Sequence, residues 1–288
     1  MKAWMIYYRE SAAYNKQYID YYQTEGNKLN IDIELVLVEQ LEFGVKNNQL
    51  FLYIDGEVPD MPDFVICRAI YPLLNKHLEY MGIKVYNNSF VSEICNDKAR
   101  TYQYLASTGI KMVDSVFCTN NLISSKMDKI DNPTVIKAVD GHGGSQVYMI
   151  DPSENEPDRE SILYGLKGSD AVIQPLTGSK YQDLRVYVIG KEIIASVLRT
   201  AKKGFKSNFS LGGEVILYEL SDQNKEIVNK IIDLFEFGLV GIDFIIGDES
   251  ELIFNEIEDV VGSRMLYQCA PEINIVERYL RFIIRSMV

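Results

Sequence analysis

The chain is poor in the residues that most often carry covalent or metal chemistry. Among its 288 residues only His77 and His142 are histidines. A zinc site built on imidazole, or a triad with a histidine base, therefore has little support. The four cysteines, Cys67, Cys95, Cys118 and Cys269, are scattered among apolar neighbours with no C-x-x-C pair. They read as buried free thiols in a reducing cytoplasm. No apolar run approaches the roughly 18 residues of a membrane span. The N-terminus, MKAWMIYYRES, has too short an apolar core for a signal peptide and reads as a first strand. Positive charge is also scarce: 29 Lys and Arg face 41 Asp and Glu, a formal net charge of −12. That balance argues against a nucleic-acid backbone or an anionic membrane as the main partner. Apolar residues are plentiful at 47%, enough to core one large domain or two to three small lobes.

One stretch stands out: GLVGIDFIIGDESELIFNEIEDVVG, residues 238–262. Residues 240–246 and 251–257 are apolar runs, separated by Gly247, Asp248, Glu249 and Ser250. The pattern predicts two strands around a short turn. A hairpin symmetric about Asp248 and Glu249 puts Asp243 opposite Phe254, with Glu256 as diagonal neighbour on the same face. Glu258, two residues further on, shares that face. Three carboxylates so placed repel and raise one another's pKa unless a cation sits among them. Hard oxygen ligands of this kind suit Mg²⁺ together with substrate phosphates. A solvated acidic face is the other reading of the same pattern.

Residues 1–95 read as a small α/β lobe, with strands at 3–8, 32–38, 50–54, 64–68 and 84–86 and helices near 13–25 and 71–81. Gly26 and Gly82 stand where helix C-caps are expected. The alternation predicts a partly parallel sheet with covered faces, and such sheets bind ligands beyond the carboxyl ends of their strands. Arg9 and Arg68 lie at two such ends, as partners for a substrate carboxylate or as surface arginines. Helices follow near 89–95 and 98–108. Asn96 and Asp97 cap the second. Lys98 then falls in a first helical turn, where the macrodipole disfavours a cation and a shared anion would explain it.

The next lobe centres on PTVIKAVDGHGGSQVYMID, residues 133–151. Strands at 134–138 and 147–150 flank Asp140, Gly141, His142, Gly143, Gly144 and Ser145. Backbone N–H groups of a glycine-rich loop approach phosphate oxygens closely. Lys137, just before the loop, supplies a point charge. With strand on both sides the loop fits neither a Walker A motif nor the dinucleotide fingerprint, and a tight structural hairpin is the alternative. A strand at 170–176 runs into Pro175, and a strand at 183–189 carries Asp183 and Arg185 on one face. A strand at 192–199 ends on Arg199. The polar loop 200–214 then gathers Lys202, Lys203 and Lys206. An amphipathic helix is predicted at 224–237 and a final helix at 274–288.

The order of these motifs resembles the ATP-grasp fold, and within it the RimK-like and glutathione-synthetase-like carboxylate–amine ligases. The series runs from a lysine after Asn96-Asp97 to V-I-K before a Gly-rich strand–loop–strand. A strand ending I-Q-P comes next, then D-x-R-V, then an arginine before an Asn/Gly-Gly loop. G-I-D and N-E-I-E close it. The resemblance covers about residues 63–275 and implies an N-terminal α/β domain (1–95), a central lid lobe (96–175) and a C-terminal catalytic lobe (176–288).

ATP would then lie between the last two lobes. The resemblance implies that Lys98 and Lys137 contact its phosphates. Gly141, Gly143, Gly144 and Ser145 would form a mobile lid, and Gln174, Pro175 and Leu176 a hinge reading the adenine edge. Asp183 joins this nucleotide-binding set. Asp243, Glu256 and Glu258 would hold Mg²⁺, as two ions, with Mn²⁺ as the alternative. Arg199, Arg185 and Asn208, with the Gly212-Gly213 loop, would face the transferred phosphoryl group. Arg68, Gly262, Ser263 and Arg264 would meet substrate.

The chain departs from the family at the metal strand. Members commonly show N-E-x-N followed by a Pro-Gly turn, whereas Glu258 and then Asp259-Val260-Val261-Gly262-Ser263-Arg264 stand here. Glutamate keeps an oxygen ligand, but the loop that meets the acceptor is changed. The resemblance implies small-molecule or peptide carboxylate and amine substrates, no nucleic-acid or membrane partner, and a homo-oligomer, dimer or tetramer. Three activities stay open: a ligase working through an acyl phosphate, a phosphotransferase on a small molecule, and a non-catalytic nucleotide-binding protein.

Overall fold

Strands that are apolar on both faces belong in the middle of a covered parallel sheet, and the N-terminal segment has that character. In the computed structural model, residues 1–144, 146–153, 158–201 and 214–287 are described. The strands of the first lobe are β1 (Lys2–Tyr7), β2 (Asp32–Leu37), β3 (Leu41–Lys46), β4 (Gln49–Ile54), β5 (Phe64–Cys67) and β6 (Lys84–Tyr86). The order β2-β1-β5-β6 forms a four-stranded parallel sheet. Residues 50–54, expected in that sheet, instead pair as β4 with β3 in a separate hairpin. Asn47 and Asn48 at its turn have φ of 51° and 62°, the left-handed pair that a two-residue hairpin turn requires.

The helix expected near 13–25 is two helices, α1 (Arg9–Tyr14) and α2 (Lys16–Lys28), broken at Asn15. Gly26 is not a cap. It lies inside α2, where a Cβ would come within 2.7 Å of the Ile33 side chain, so glycine lets the helix seat on β2. Next come α3 (Pro72–Tyr80), α4 (Ser89–Cys95) and α5 (Lys98–Leu105). Asn88 caps α4, accepting from the Val91 N–H at 2.9 Å, and Asp97 caps α5, accepting from the Arg100 N–H at 3.0 Å.

A second sheet, ordered β7-β10-β8-β9, comprises β7 (Val116–Cys118), β8 (Thr134–Ala138), β9 (Val147–Ile150) and β10 (Ala171–Pro175). It packs its own core, including Ile136 and Ala171, against α6 (Ile123–Met127) and α7 (Arg159–Gly165).

The third sheet positions the charged residues. It comprises β11 (Gln182–Ile189), β12 (Glu192–Thr200), β13 (Glu214–Leu217), β14 (Leu239–Ile246) and β15 (Leu252–Glu258), in the antiparallel order β13-β12-β11-β14-β15. Side chains alternate across a strand. Leu184, Val186 and Val188 of β11 and Ile242, Phe244 and Ile246 of β14 enter one core. That core is closed by α8 (Asp222–Ile232) and by Tyr102 and Leu105 of α5. The opposite face carries Asp183, Arg185 and Asp243. Near its far end, α9 (Arg264–Cys269) and α10 (Ile275–Met287) pack with α2 in a core that includes Tyr22, Tyr279 and Leu280.

The hairpin register differs from the symmetric expectation. Phe244 pairs with Phe254, but Asp243 pairs with Glu256, and Gly241 with Glu258. A β-bulge between Asp243 and Phe244 makes the difference. The residue it leaves unpaired is Asn255, and bulges of this kind re-aim side chains beside functional sites.

Candidate active site

Register sets out the charged residues in adjoining rows. Arg199 pairs with Asp183, Arg185 with Asp243, and Asp243 in turn with Glu256. Gly241, beside Arg185, has no side chain because a Cβ there would lie 3.2 Å from the arginine Cδ and 2.8 Å from Val261. The Arg185 side chain passes over it.

The result is a linked ionic chain. Arg185 Nε and Nη2 donate to the two oxygens of Asp243, both at 2.7 Å, and its Nη1 meets Glu258 at 2.5 Å. Arg199 Nη2 reaches Asp243 at 2.7 Å, and Arg199 grips Asp183 through Nε at 2.6 Å and through Nη2. Paired, bidentate geometry of this kind is among the strongest in proteins. Burial pushes the Asp243 carboxyl up, but Arg185 and Arg199 overcome it and hold it down at about 2. For Asp183 desolvation wins over Arg199, and the carboxyl sits above its ordinary value. Glu258 is lifted in the same way despite Arg185.

Two cavities meet at this face. The first, about 850 Å³, lies between the second and third sheets and is bordered by Lys98, Lys137, Gly141, Gly144 and Gln174–Leu176, with Asp183 and Glu256 at its inner end. The second, about 1370 Å³, is bordered by Arg185, Arg199, Asp243, Glu258, His142 and Gly143. Lys98 and Glu256 line both. Lys98 Nζ lies 3.2 Å from Glu256 and donates to the Gly141 carbonyl at 2.5 Å. This is the shared anion that its place in a first helical turn called for. Lys137 donates to Asn255 Oδ1 at 2.8 Å, and desolvation lowers its ammonium to about 8. Desolvation pushes the Glu256 carboxyl up, but Lys98, with Lys137 and Arg185, holds it below its ordinary value.

The structure thus brings most of the expected residues together but arranges the acids differently. Asp243, Glu256 and Glu258 line one cavity, yet each faces a basic side chain rather than the others. Among the described residues no group of three His, Cys, Asp or Glu side chains stands close enough to share one ion. The physical reason is that Arg185, Arg199 and Lys98 already lie between the acids. In the hinge segment, the Leu176 N–H donates to the Pro133 carbonyl at 2.9 Å, and the Gln174 side chain donates to Ser115 Oγ at 2.8 Å. Ser145, Asn208, Gly212 and Gly213, with the lysines at 202, 203 and 206, lie outside the described residues.

Arg68 and Arg9 stand apart from the other expected residues, for neither lines either cavity. Arg9 opens α1 on the surface, where its backbone N–H donates to Glu39. Arg68 is buried. Its Nη2 donates to the carbonyls of Val261 at 3.0 Å and Val260 at 3.3 Å, its Nε to the Tyr7 hydroxyl, and it lies over the Tyr18 ring. It clamps the loop that follows β15. Arg68→Ala is expected to cost about 2–3 kcal/mol, because two carbonyls lose a charged donor in a buried place. Chemical denaturation measures this, and a change below about 0.5 kcal/mol would remove the clamp.

The loop itself holds the other expected substrate residues. The Gly262 carbonyl accepts from Tyr187 at 3.1 Å, Ser263 Oγ lies 2.7 Å from the Tyr18 hydroxyl, and Arg264 donates to the Tyr14 hydroxyl at 2.9 Å. Sequence reading gave Asn255 no role, although it quoted the motif containing it, because a bulge has no fixed signature. It also passed over Tyr14 and Tyr18, whose partners are some 250 positions away: 250 for Tyr14 and 245 for Tyr18.

Known proteins resemble this chain in sequence and in fold. An uncharacterized protein of Mycoplasma genitalium is 27% identical over 263 residues, covering 91% of this chain and 84% of its own length. Human beta-citrylglutamate synthase B is 25% identical over 247 residues, covering 81% of this chain, which spans 64% of the synthase's length. The ATP-grasp ligase PsnB, solved with a phosphomimetic variant of a minimal precursor, Mg and ADP, superimposes with a TM-score of 0.70 at 16% identity. That superposition covers 99% of this chain and 98% of PsnB and establishes the shared fold. The family described as the RimK-like ATP-grasp domain matches residues 95–283, and this protein belongs to it.

Proposed function

We propose that the protein is an ATP-dependent ligase that joins a carboxylate to an amine through an acyl phosphate, releasing ADP and phosphate. One observation carries the reading most directly: the cleft bordered by Lys98 and Lys137 opens, at Lys98 and Glu256, into a second cavity lined by three arginines and three carboxylates. The synthase and ligase activities named for its relatives support it.

In this reading Lys98 and Lys137 grip the phosphates of ATP, and Gln174–Leu176 border its base. Arg199 and Arg185 face the phosphoryl group in transfer, where fixed positive charge lowers the barrier. The acids also fit a metal ion by their chemistry. Asp183, Asp243 and Glu258 share the two guanidinium groups of Arg185 and Arg199, which leaves one negative charge uncompensated within that ionic chain, and hard oxygens suit Mg²⁺. Asp243, Glu256 and Glu258 would hold two such ions, or Mn²⁺ in their place, with no ion shared by all three acids. When bound, such an ion neutralises charge on the transferring phosphoryl oxygens.

A carboxylate oxygen bonds to the γ-phosphorus as the bond to ADP breaks. The amine nitrogen then bonds to the acyl carbon as phosphate leaves with the electron pair. Water has to be kept out while the acyl phosphate exists. Free thiols suit a cytoplasmic setting, and no helix among the described residues is long and apolar enough to cross a membrane.

The direct test is ADP and phosphate release from Mg-ATP with pools of amino acids and short peptides, with and without added amines. Release that needs both partners, with a product equal to their sum less water, is expected. A phosphorylated product formed without amine would make the protein a kinase. Tight ATP binding with no release across the panel would leave a nucleotide-binding protein and end the ligase reading.

Lys137→Ala is expected to weaken ATP binding about 10- to 100-fold, the value of one charged hydrogen bond. The ammonium is the binding form, and its pKa in the free protein is about 8. Wild-type affinity should therefore be flat below that pH and fall above it, a fall the variant lacks. Calorimetric titration across pH shows both effects. Equal affinities would refute the phosphate role.

A further inference from the structure

A third cavity continues the first two. It shares Tyr14, Gly262 and Arg264 with the middle cavity and no lining residue with the nucleotide cleft. The three therefore run in series: nucleotide, reaction centre, and a chamber of about 950 Å³ beyond it. We infer that this chamber takes the amine acceptor, and that the acceptor carries one carboxylate and a bulky, uncharged, aromatic side chain. This rests on the ligase reading.

Position gives the first part. The acyl phosphate forms where the cleft and the middle cavity meet. The nucleotide fills the cleft on one side of the reaction centre, so the amine reaches the acyl carbon from the side left open. The chamber opens there, across Gly262 and Arg264.

Composition gives the second part. Arg264 is the sole ionic side chain lining the chamber, and no carboxylate lines it. The guanidinium is held ready: it lies 4.8 Å from the Tyr14 ring centroid and donates to the Tyr14 hydroxyl. A guanidinium held in this way matches a carboxylate in two-point geometry. Four tyrosines, Tyr14, Tyr18, Tyr21 and Tyr267, make up the largest part of the remaining wall, with the uncharged Asn15 and Gln17 beside them. Tyr21 and Tyr267 meet edge to face at 5.7 Å, and the Tyr18 hydroxyl is tied to Ser263. A cationic side chain would find no anion here and would meet Arg264. A second carboxylate would find no second cation. An aromatic ring finds ring faces and edges of matching polarity. Arg68 contributes from behind by fixing the carbonyls of Val260 and Val261, and so the loop that carries Arg264.

Binding tests this without turnover. The full-length protein, with Mg²⁺ and the non-hydrolysable analogue AMPPNP, is titrated calorimetrically with phenylalanine, glutamate, lysine and phenethylamine. Phenylalanine is expected to bind at least about tenfold more tightly than the other three. Arg264→Ala should bring phenylalanine to the level of phenethylamine and leave phenethylamine unchanged. Tyr14→Leu, which keeps the charge but removes its platform, should lose part of the phenylalanine affinity. Arg264 and Tyr14 are surface residues, and thermal melts confirm that both variants fold. Glutamate or lysine binding as tightly as phenylalanine would overturn the proposal, as would Arg264→Ala without effect or no binding of any probe. Phenylalanine binding in a protein that never couples ATP to an amine would instead overturn the ligase reading and leave the chamber's chemistry standing.

Discussion

Glu256→Gln is expected to lower kcat by about 10³-fold or more, while the protein stays folded. Glu256 is the acid that lines both the cleft and the middle cavity, and it pairs in register with Asp243. Glutamine keeps its size and one carbonyl oxygen but removes the charge. An ion held by the acids then loses a ligand charge, and Lys98 loses the anion that fixes it 3.2 Å away. Both effects act on the phosphoryl group in transfer more than on ATP in the ground state, so kcat should fall further than ATP affinity. Stability should change little, because the Glu256 side chain is one-third exposed and a glutamine there remains solvated. Initial rates of ADP release, a Mg²⁺ titration and a thermal melt read these separately. A folded variant retaining more than about a tenth of wild-type kcat would remove Glu256 from the machinery.

The second large effect belongs to Asp243, where stability and chemistry coincide. Asp243→Asn should cost about 3–5 kcal/mol, the usual result of removing one partner from a buried ionic arrangement. Its two oxygens take three guanidinium contacts and hold Arg185 and Arg199 side by side. Without that charge the arginines face each other with no shared counter-ion. The pH dependence has a definite sign. The carboxyl lies at about 2 against an ordinary 3.8. A depressed carboxylate contributes its stability above the ordinary value and loses it as the pH falls toward the depressed one. The gap in unfolding free energy between wild type and Asp243→Asn should therefore be largest at neutral pH and narrow below about 4. Asp183→Asn should cost less, because desolvation already outweighs the help that Asp183 receives from Arg199. Denaturant unfolding of both variants at pH 7 and in acid decides it. Equal costs, or a gap that widens in acid, would contradict the assigned roles.

Local pattern carried a good part of the fold. The strands 134–138, 147–150 and 84–86 and the helix 89–95 form with the expected bounds, because each is a short periodic run between clear breakers. The parallel N-terminal sheet follows from its alternating elements in the same way. Elsewhere packing overrode the pattern. Gly26 looked like a helix end, but α2 continues through it because Ile33 presses on that spot. Residues 50–54 have strand character, but their pairing with β3 rather than with the parallel sheet depends on the left-handed turn at Asn47-Asn48.

The site divides along the same line. Which residue types occur, and in what order, is a property of the sequence alone, and it was enough to indicate the ATP-grasp family. Period-2 alternation placed Asp183 with Arg185, and Glu256 with Glu258, on common faces before any fold was known. What each charge meets was decided only in three dimensions. A single bulge turned the diagonal of Asp243 and Glu256 into a direct pair and freed Asn255 for Lys137. Arg68 and Arg199 looked alike as lone arginines at strand ends. One became a clamp on backbone carbonyls and the other part of the charged wall, because their neighbours come from segments 193 and 44 positions away. A sequence specifies local periodicity and chemical inventory through nearest-neighbour sterics and burial. Ion pairing between distant strands depends on register and packing, which are settled only when the whole core closes.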